Sequence, residues 1–260
     1  VALDKETVEF RLAKFNPIFL QHLDTVFIMS KAWCEAHKVT RPLDFKNKEE
    51  SFAAFNANGT GPFMLVSRQP GIKTTYKRFP AWWGSFDGNV QDVVYTPIAN
   101  DATRLAALVS GEIDLVLDPA PRDVPRLRNT AGVKVIDGPE NRVLFIGMDQ
   151  YRDELLYSSV KGKNPFKDER VRRALYQAVD VQTLKTKLMN GLSVPTGSLM
   201  ASTLAQYNDA QLEERLPFDL ARARALMAEA GYANGFEVSL DCTNNRYVND
   251  EEICIALASM

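Results

Sequence analysis

Two glycines one residue apart, Gly59 and Gly61 in FNANGTGPFML (55–65), are the first residues whose spacing could serve chemistry. A dinucleotide loop needs G-x-G-x-x-G between a strand and a helix, so that a helix N-terminus faces the pyrophosphate. Met64 stands where the third glycine would be, strand-like residues follow, and no Gly-Lys-Ser or Gly-Lys-Thr makes a Walker loop. The pair therefore reads as a tight turn in which glycine supplies positive φ and Pro62 fixes the exit. Acid–base chemistry has little to draw on. The two histidines, His22 and His37, lie near no serine or cysteine motif, and no G-x-S-x-G, H-E-x-x-H or S-x-x-K constellation occurs. Carboxylate pairs such as Glu213-Glu214 read as solvated helix faces, so no catalytic residue is assigned.

Three further groups could bind without reacting. Arg170, Arg172 and Arg173 could hold an anion, but Asp168 to Arg172 and Glu169 to Arg173 are i,i+4 acid-first pairs that support an exposed helix start. Trp82 and Trp83 in FPAWWGSF could floor a cleft; an aromatic pair before a glycine turn equally anchors a hairpin. Cys34, Cys242 and Cys254 stand far apart without a C-x-x-C, which gives no metal site and fits either redox compartment.

The elements that must position these residues are those of a globular α/β protein. The 260 residues suffice for one large or two ordinary domains. A formal net charge of −2 leaves no basic excess for a phosphate backbone, which argues against nucleic acid. Apolar runs such as VLFIGM are too short to span a bilayer. ETVEFRLAKF alternates like a strand, and NPIFLQHLDTVFIMSKAWCEAHKV reads as mainly helical. FMLVSRQ and KTTYKRF about Pro70-Gly71 predict a hairpin. From residue 90, VQDVVYTPI, IDLVLD and GVKVID read as strands alternating with helices over NDATRLAALVSGEID and PRDVPRLRN. That order predicts β-α-β units, a parallel sheet and ligands at strand ends. NRVLFIGMDQ (141–150) reads as a buried strand, because its middle is apolar throughout. Helices follow over KDERVRRALYQAVD, after Asp180 to Gly191, and over DLARARALMAEAGY; GFEVSLD alternates as a strand. NDEEICIALASM begins as a helix capped by Asn249 or Asp250 and stops without a C-cap, so the chain reads as a fragment cut at both ends.

In this order the pieces resemble the family 5 extracellular solute-binding proteins, receptors of ATP-binding-cassette importers. NGTGPFMLVSRQPGIKTTYKRFPAWWG is similar to that family's Gly-Thr-Gly-Pro-Phe stretch and its aromatic-Trp-Gly turn. NDATRLAALVSGEIDLV resembles its helix ending at Gly-Glu-x-Asp. NPFKDERVRRALYQAVD resembles its P-F-x-D-x-R-V-R-x-A signature, and RARALMAEAGYANGF its Ala-Gly-Tyr stretch. The likeness covers residues 57–240 well and 1–56 more loosely.

The resemblance implies an α/β, two-lobe periplasmic-binding-protein-like fold of the type II, peptide-binding class, incomplete at both ends. Residues 1–56 would end a small N-terminal subdomain, 57–145 form part of lobe I, and 146–260 open lobe II. It implies capture of a small peptide or similar solute by hinge closure, delivery to the transmembrane permease subunits of the importer, and export to the periplasm, without cofactor or metal. The groups that grip a peptide's ends are expected mainly beyond residue 260. A crossing between lobes at 141–150 makes Phe145, Met148 and Asp149 cleft candidates, with the strand-end loop Leu117, Asp118 and Pro119 opposite; packing and a turn explain them equally. A nickel-chelate or haem receptor of the same family is the near alternative. A hydrolase with catalytic residues outside these 260, or an interaction scaffold, are the distant ones. Incomplete lobes are expected to expose large apolar patches.

Overall fold

The hairpin about Pro70-Gly71 forms in the computed structural model, which describes residues 1–204, 207–244 and 246–260, with the side chain of Phe45 left out. Strand β1 (Phe63–Gln69) pairs antiparallel with β2 (Lys73–Arg78), and β3 (Asp92–Tyr95) pairs antiparallel with β2. Gly71 takes φ +73°, the left-handed conformation that lets the chain reverse. Ser67 and Thr75 face each other across the pair, with their hydroxyls 2.7 Å apart.

Gly59 and Gly61 do not behave as expected. Neither has positive φ, and a Cβ on either would meet nothing within 4 Å. The reversal is made instead by acceptors. The carbonyl of Thr60 accepts from Trp82 Nε1 at 2.8 Å and Trp83 Nε1 at 3.1 Å, and Phe79 N donates to the carbonyl of Pro62 at 2.8 Å. The tryptophans thus anchor the hairpin, and a Cβ on Gly84 would lie 2.6 Å from the Trp82 ring and make that ring shift. Ahead of the hairpin the expected long helix is broken into a single helical turn at Phe19–His22, a 3-10 turn at Leu23–Thr25 and a longer helix, α1 (Lys31–Ala36), capped by the Ser30 hydroxyl. His37 stacks on Phe52 at 4.0 Å, a packing role. These elements fall in one compact unit, Val1–Ile98; a second spans Ala99–Met260.

The second unit carries the better-formed helices. In α2 (Asp101–Ser110) the Asn100 side chain accepts from Thr103 N, and Gly111 closes the helix at φ +78°. α3 (Val124–Arg128) buries Val124 and Leu127. α4 (Glu169–Ala178) packs on α5 (Leu220–Glu229) through Ala174, Ala223 and Leu226, the two alanines allowing close approach. Val171, fully buried, joins Leu155 and Phe166 in the adjoining core. α6 (Asp250–Ser259) completes the unit.

The expected parallel sheet is absent from the described residues. IDLVLD, GVKVID and NRVLFIGMDQ form no ladder, and Leu115, Ile136, Leu144 and Phe145 are exposed. GFEVSLD forms one antiparallel bridge, Val238 with Ser158. An apolar run becomes a buried strand only when a neighbour takes up its N–H and C=O groups. No strand among the described residues does so here, so composition alone misjudged the burial of 141–150.

Candidate functional site

The signature NPFKDERVRRAL builds a scaffold before it builds any site. Buried Asn164 donates through Nδ2 to the carbonyls of Asp149 (2.8 Å) and Arg152 (2.9 Å), while its Oδ1 accepts from Phe166 N at 2.9 Å. Asp168 caps α4, accepting from Arg170 N at 2.9 Å and from the Arg170 guanidinium, whose Nη1 reaches the carbonyl of Glu229 on α5. Of the two expected i,i+4 pairs, Glu169–Arg173 forms at 2.6 Å. Arg172 instead donates to the carbonyls of Phe166 and Lys167, because Asp168 is already committed to Arg170. The basic cluster is therefore spent on holding the helix start, and Asp168 is held below the usual carboxylate range by that guanidinium and the Arg170 N–H.

The candidate cleft residues all lie in the second unit. Met148 packs partly against the Leu155–Phe166–Val171 core and lines an open concavity of about 370 Å³ with Ile146, Glu169, Arg173 and Tyr176. The Asp149 carboxylate accepts from Tyr151 N (3.0 Å) and Arg152 N and pairs with the Arg152 guanidinium, which lowers its pKa. Phe145 and Leu117 stand exposed. Asp118 takes φ +50°, a left-handed conformation that aspartate tolerates better than most, and Pro119 leads into the buried Ala120-Pro121. No hydrogen bond or ion pair among the described residues joins Leu117–Pro119 to Phe145–Asp149.

A polar group that the sequence left unmarked lies ahead of α6. The guanidinium groups of Arg142 and Arg246 stand 5.1 Å and 5.4 Å from the Tyr247 ring centre. Arg246 Nε donates to Tyr247 Oη at 2.8 Å, and Arg142 keeps an ion pair with Glu140 at 3.4 Å. The N–H groups of Arg246 and Tyr247 both donate to Asp250 Oδ2, at 3.0 and 3.1 Å, and Asn249 Nδ2 donates to the carbonyl of Leu188. Two exposed guanidinium groups lie against one ring, and Arg246, which forms no ion pair among the described residues, keeps Nη donors of the kind that bind a carboxylate, while Arg142 is already paired with Glu140. The same region holds the Cys242–Cys254 disulfide, with Cα atoms 6.3 Å apart.

The family model of bacterial extracellular solute-binding proteins, family 5 Middle, matches residues 1–260. The chain belongs to this family. Among curated relatives, the dipeptide-binding protein of Escherichia coli K12 is 28% identical over 240 residues, which are 92% of this chain and 41% of that protein. Heme-binding protein A of Haemophilus influenzae is 26% identical over 238 residues, covering 90% and 40%. Among solved structures, the periplasmic binding protein DppA of Helicobacter pylori in complex with the peptide STSA matches with a TM-score of 0.63 at 26% identity, covering 84% of this chain and 39% of that one. The binding protein AgaA of Agrobacterium tumefaciens in complex with agropinic acid gives 0.61 at 27%, covering 89% and 42%. This family 5 chain thus spans about two fifths of the length of the curated relatives it matches. Its fold class is that of two-lobe periplasmic binding proteins, and the family is one of solute binders.

The Arg142–Tyr247–Arg246 group escaped sequence reasoning because its members are 104 residues apart, from 142 to 246, and carry no motif spacing. The available signal was local: an Arg-Tyr pair two residues before an Asn-Asp helix start, bracketed by two cysteines.

Proposed function

We propose that this chain is part of the substrate-binding component of an ATP-binding-cassette importer, which captures a peptide-like solute between two lobes and passes it to a membrane permease. The observation that carries this is the match of the family along the whole chain, together with relatives and solved structures whose names record peptides as ligands. In this reading residues 1–56 end a small subdomain, 57–145 belong to the first lobe and 146–260 to the second, and the protein works in the periplasm after export. Capture is reversible: ligand contacts made from both lobes stabilise the closed state, and no covalent bond changes. Within the second unit, Arg246 and Arg142 are the groups best suited to a solute carboxylate. The exposed residues Leu117, Asp118 and Phe145, together with Pro119, Met148 and Asp149, are the candidates for apolar and backbone contacts.

A second reading, a receptor for haem or a nickel chelate, has a specific observation in its favour in the similarity to heme-binding protein A. Calorimetry on the whole protein against dipeptides, tripeptides, nickel chelates and haem separates the two. Saturable one-to-one binding of a short peptide supports the proposal; binding of haem or chelate with none of peptide replaces it.

A further inference from the structure

The Cys242–Cys254 disulfide lies beside the Arg246–Tyr247 group, outside the scaffold formed by the α4–α5 pair. It joins the stretch entering the Arg246–Tyr247 loop to the second turn of α6, across a separation of 12 residues. Upstream, the chain is held at residues 237–239: Ser159 N donates to the carbonyl of Glu237, and Ser239 N to that of Tyr157. Downstream, it is held at Arg246 and Tyr247, whose N–H groups bind Asp250. Between these anchors, no backbone hydrogen bond among the described residues holds 240–244. The covalent link lies within that gap. Cys242 is exposed and Cys254 half-buried, so a reductant can reach the pair, whereas Cys34 is unpaired.

We propose that this disulfide is the brace that positions Arg246 and Tyr247, so that the oxidised protein binds its solute more tightly than the reduced one. The affinity half of this rests on the proposed function. Without the link, the tethers that remain among the described residues include the N–H bonds to Asp250, the Asn249 bond to the Leu188 carbonyl and the Arg142 contact with the Tyr247 ring. The loop then samples conformations in which the two guanidinium groups no longer share the Tyr247 ring, and binding must restore that order. Reduction by an added dithiol breaks the Sγ–Sγ bond, places one electron and one proton on each sulfur, and converts the dithiol to its cyclic disulfide.

The test uses the whole exported protein, oxidised, treated with dithiothreitol, and as the double variant Cys242→Ser/Cys254→Ser. Non-reducing peptide mapping establishes the bond, hydrogen exchange follows the Arg246 and Tyr247 amides, and glycyl-leucine is the titrated probe. Reduction should speed exchange at these two amides about tenfold, leave that at Val171 unchanged, and weaken probe binding about five- to tenfold. The double variant should match the reduced protein and ignore dithiothreitol; if it fails to fold, the reduced wild type decides. Two free thiols in the exported protein, unchanged exchange on reduction, or faster exchange with unchanged affinity would each overturn the proposal. An oxidised protein that binds no peptide would overturn the function instead, and the exchange data would still judge the brace.

Discussion

Arg246 illustrates how a surface charge acquires a definite position. Its backbone N–H is held by Asp250 and its Nε by Tyr247 Oη, with the guanidinium carbon 5.4 Å from the Tyr247 ring centre. Hydrogen bonds to charged groups contribute about 1.5–3 kcal/mol. Arg246→Ala should therefore weaken binding of a dipeptide with a free carboxylate by about ten- to a hundredfold, and that of its C-terminal amide far less. Calorimetry on both ligands checks this, and equal losses would remove the carboxylate from the account. At Glu49 the prediction concerns pH. The Arg41 guanidinium, with the Asp44 N–H, holds its carboxyl at about 2, below the ordinary 4.5. Because the folded value is depressed, the clasp contributes stability above about 4.5 and loses it as pH falls toward 2. Carboxyl carbon resonances should place the Glu49 titration near 2, and Glu49→Gln should flatten the loss of stability over that window.

At the scale of elements, the α4–α5 pair and its cap carry the second unit. Val171→Ala should cost about 2 kcal/mol, since no methyl of that side chain reaches water. Asn164→Ala should cost a similar amount by another route, leaving the carbonyls of Asp149 and Arg152 and the N–H of Phe166 without their partner. Thermal unfolding of the two variants checks both, and an unchanged midpoint for either would contradict its assigned role. These helices were legible in the sequence because caps and 3.6-residue periodicity are local: Asn100, Asp180 and Asp219 each accept an N–H at a helix start, whereas Asp168, expected to pair with Arg172, caps its helix instead. The strands after residue 100 were not legible. Their pairing depends on partners far away in sequence, and VLFIGM has the same composition whether covered or exposed. The disulfide was missed for a related reason. A 12-residue spacing means nothing until α6 folds Cys254 back toward Cys242. The Thr60 carbonyl was missed because no side-chain motif marks a backbone acceptor.

At the scale of the molecule, exposed surface dominates. The chain exposes 19874 Å², whereas a folded monomer of its 29.1 kDa would expose about 11,000 Å² and two separate domains of that total mass about 14,000 Å². The excess includes Leu115, Leu117, Ile136, Leu144 and Phe145, apolar residues in runs that sequence reasoning assigned to a sheet. Such runs are stable in water only against further protein surface, so the solute affinity of these 260 residues alone should fall far below that of the whole protein. The most direct test of reversible capture is calorimetry of the whole protein with dipeptides, followed by mass spectrometry of the recovered ligand. Saturable one-to-one binding with every peptide returned intact is the expected result; a cleaved or modified peptide, or no binding of any solute, would contradict it.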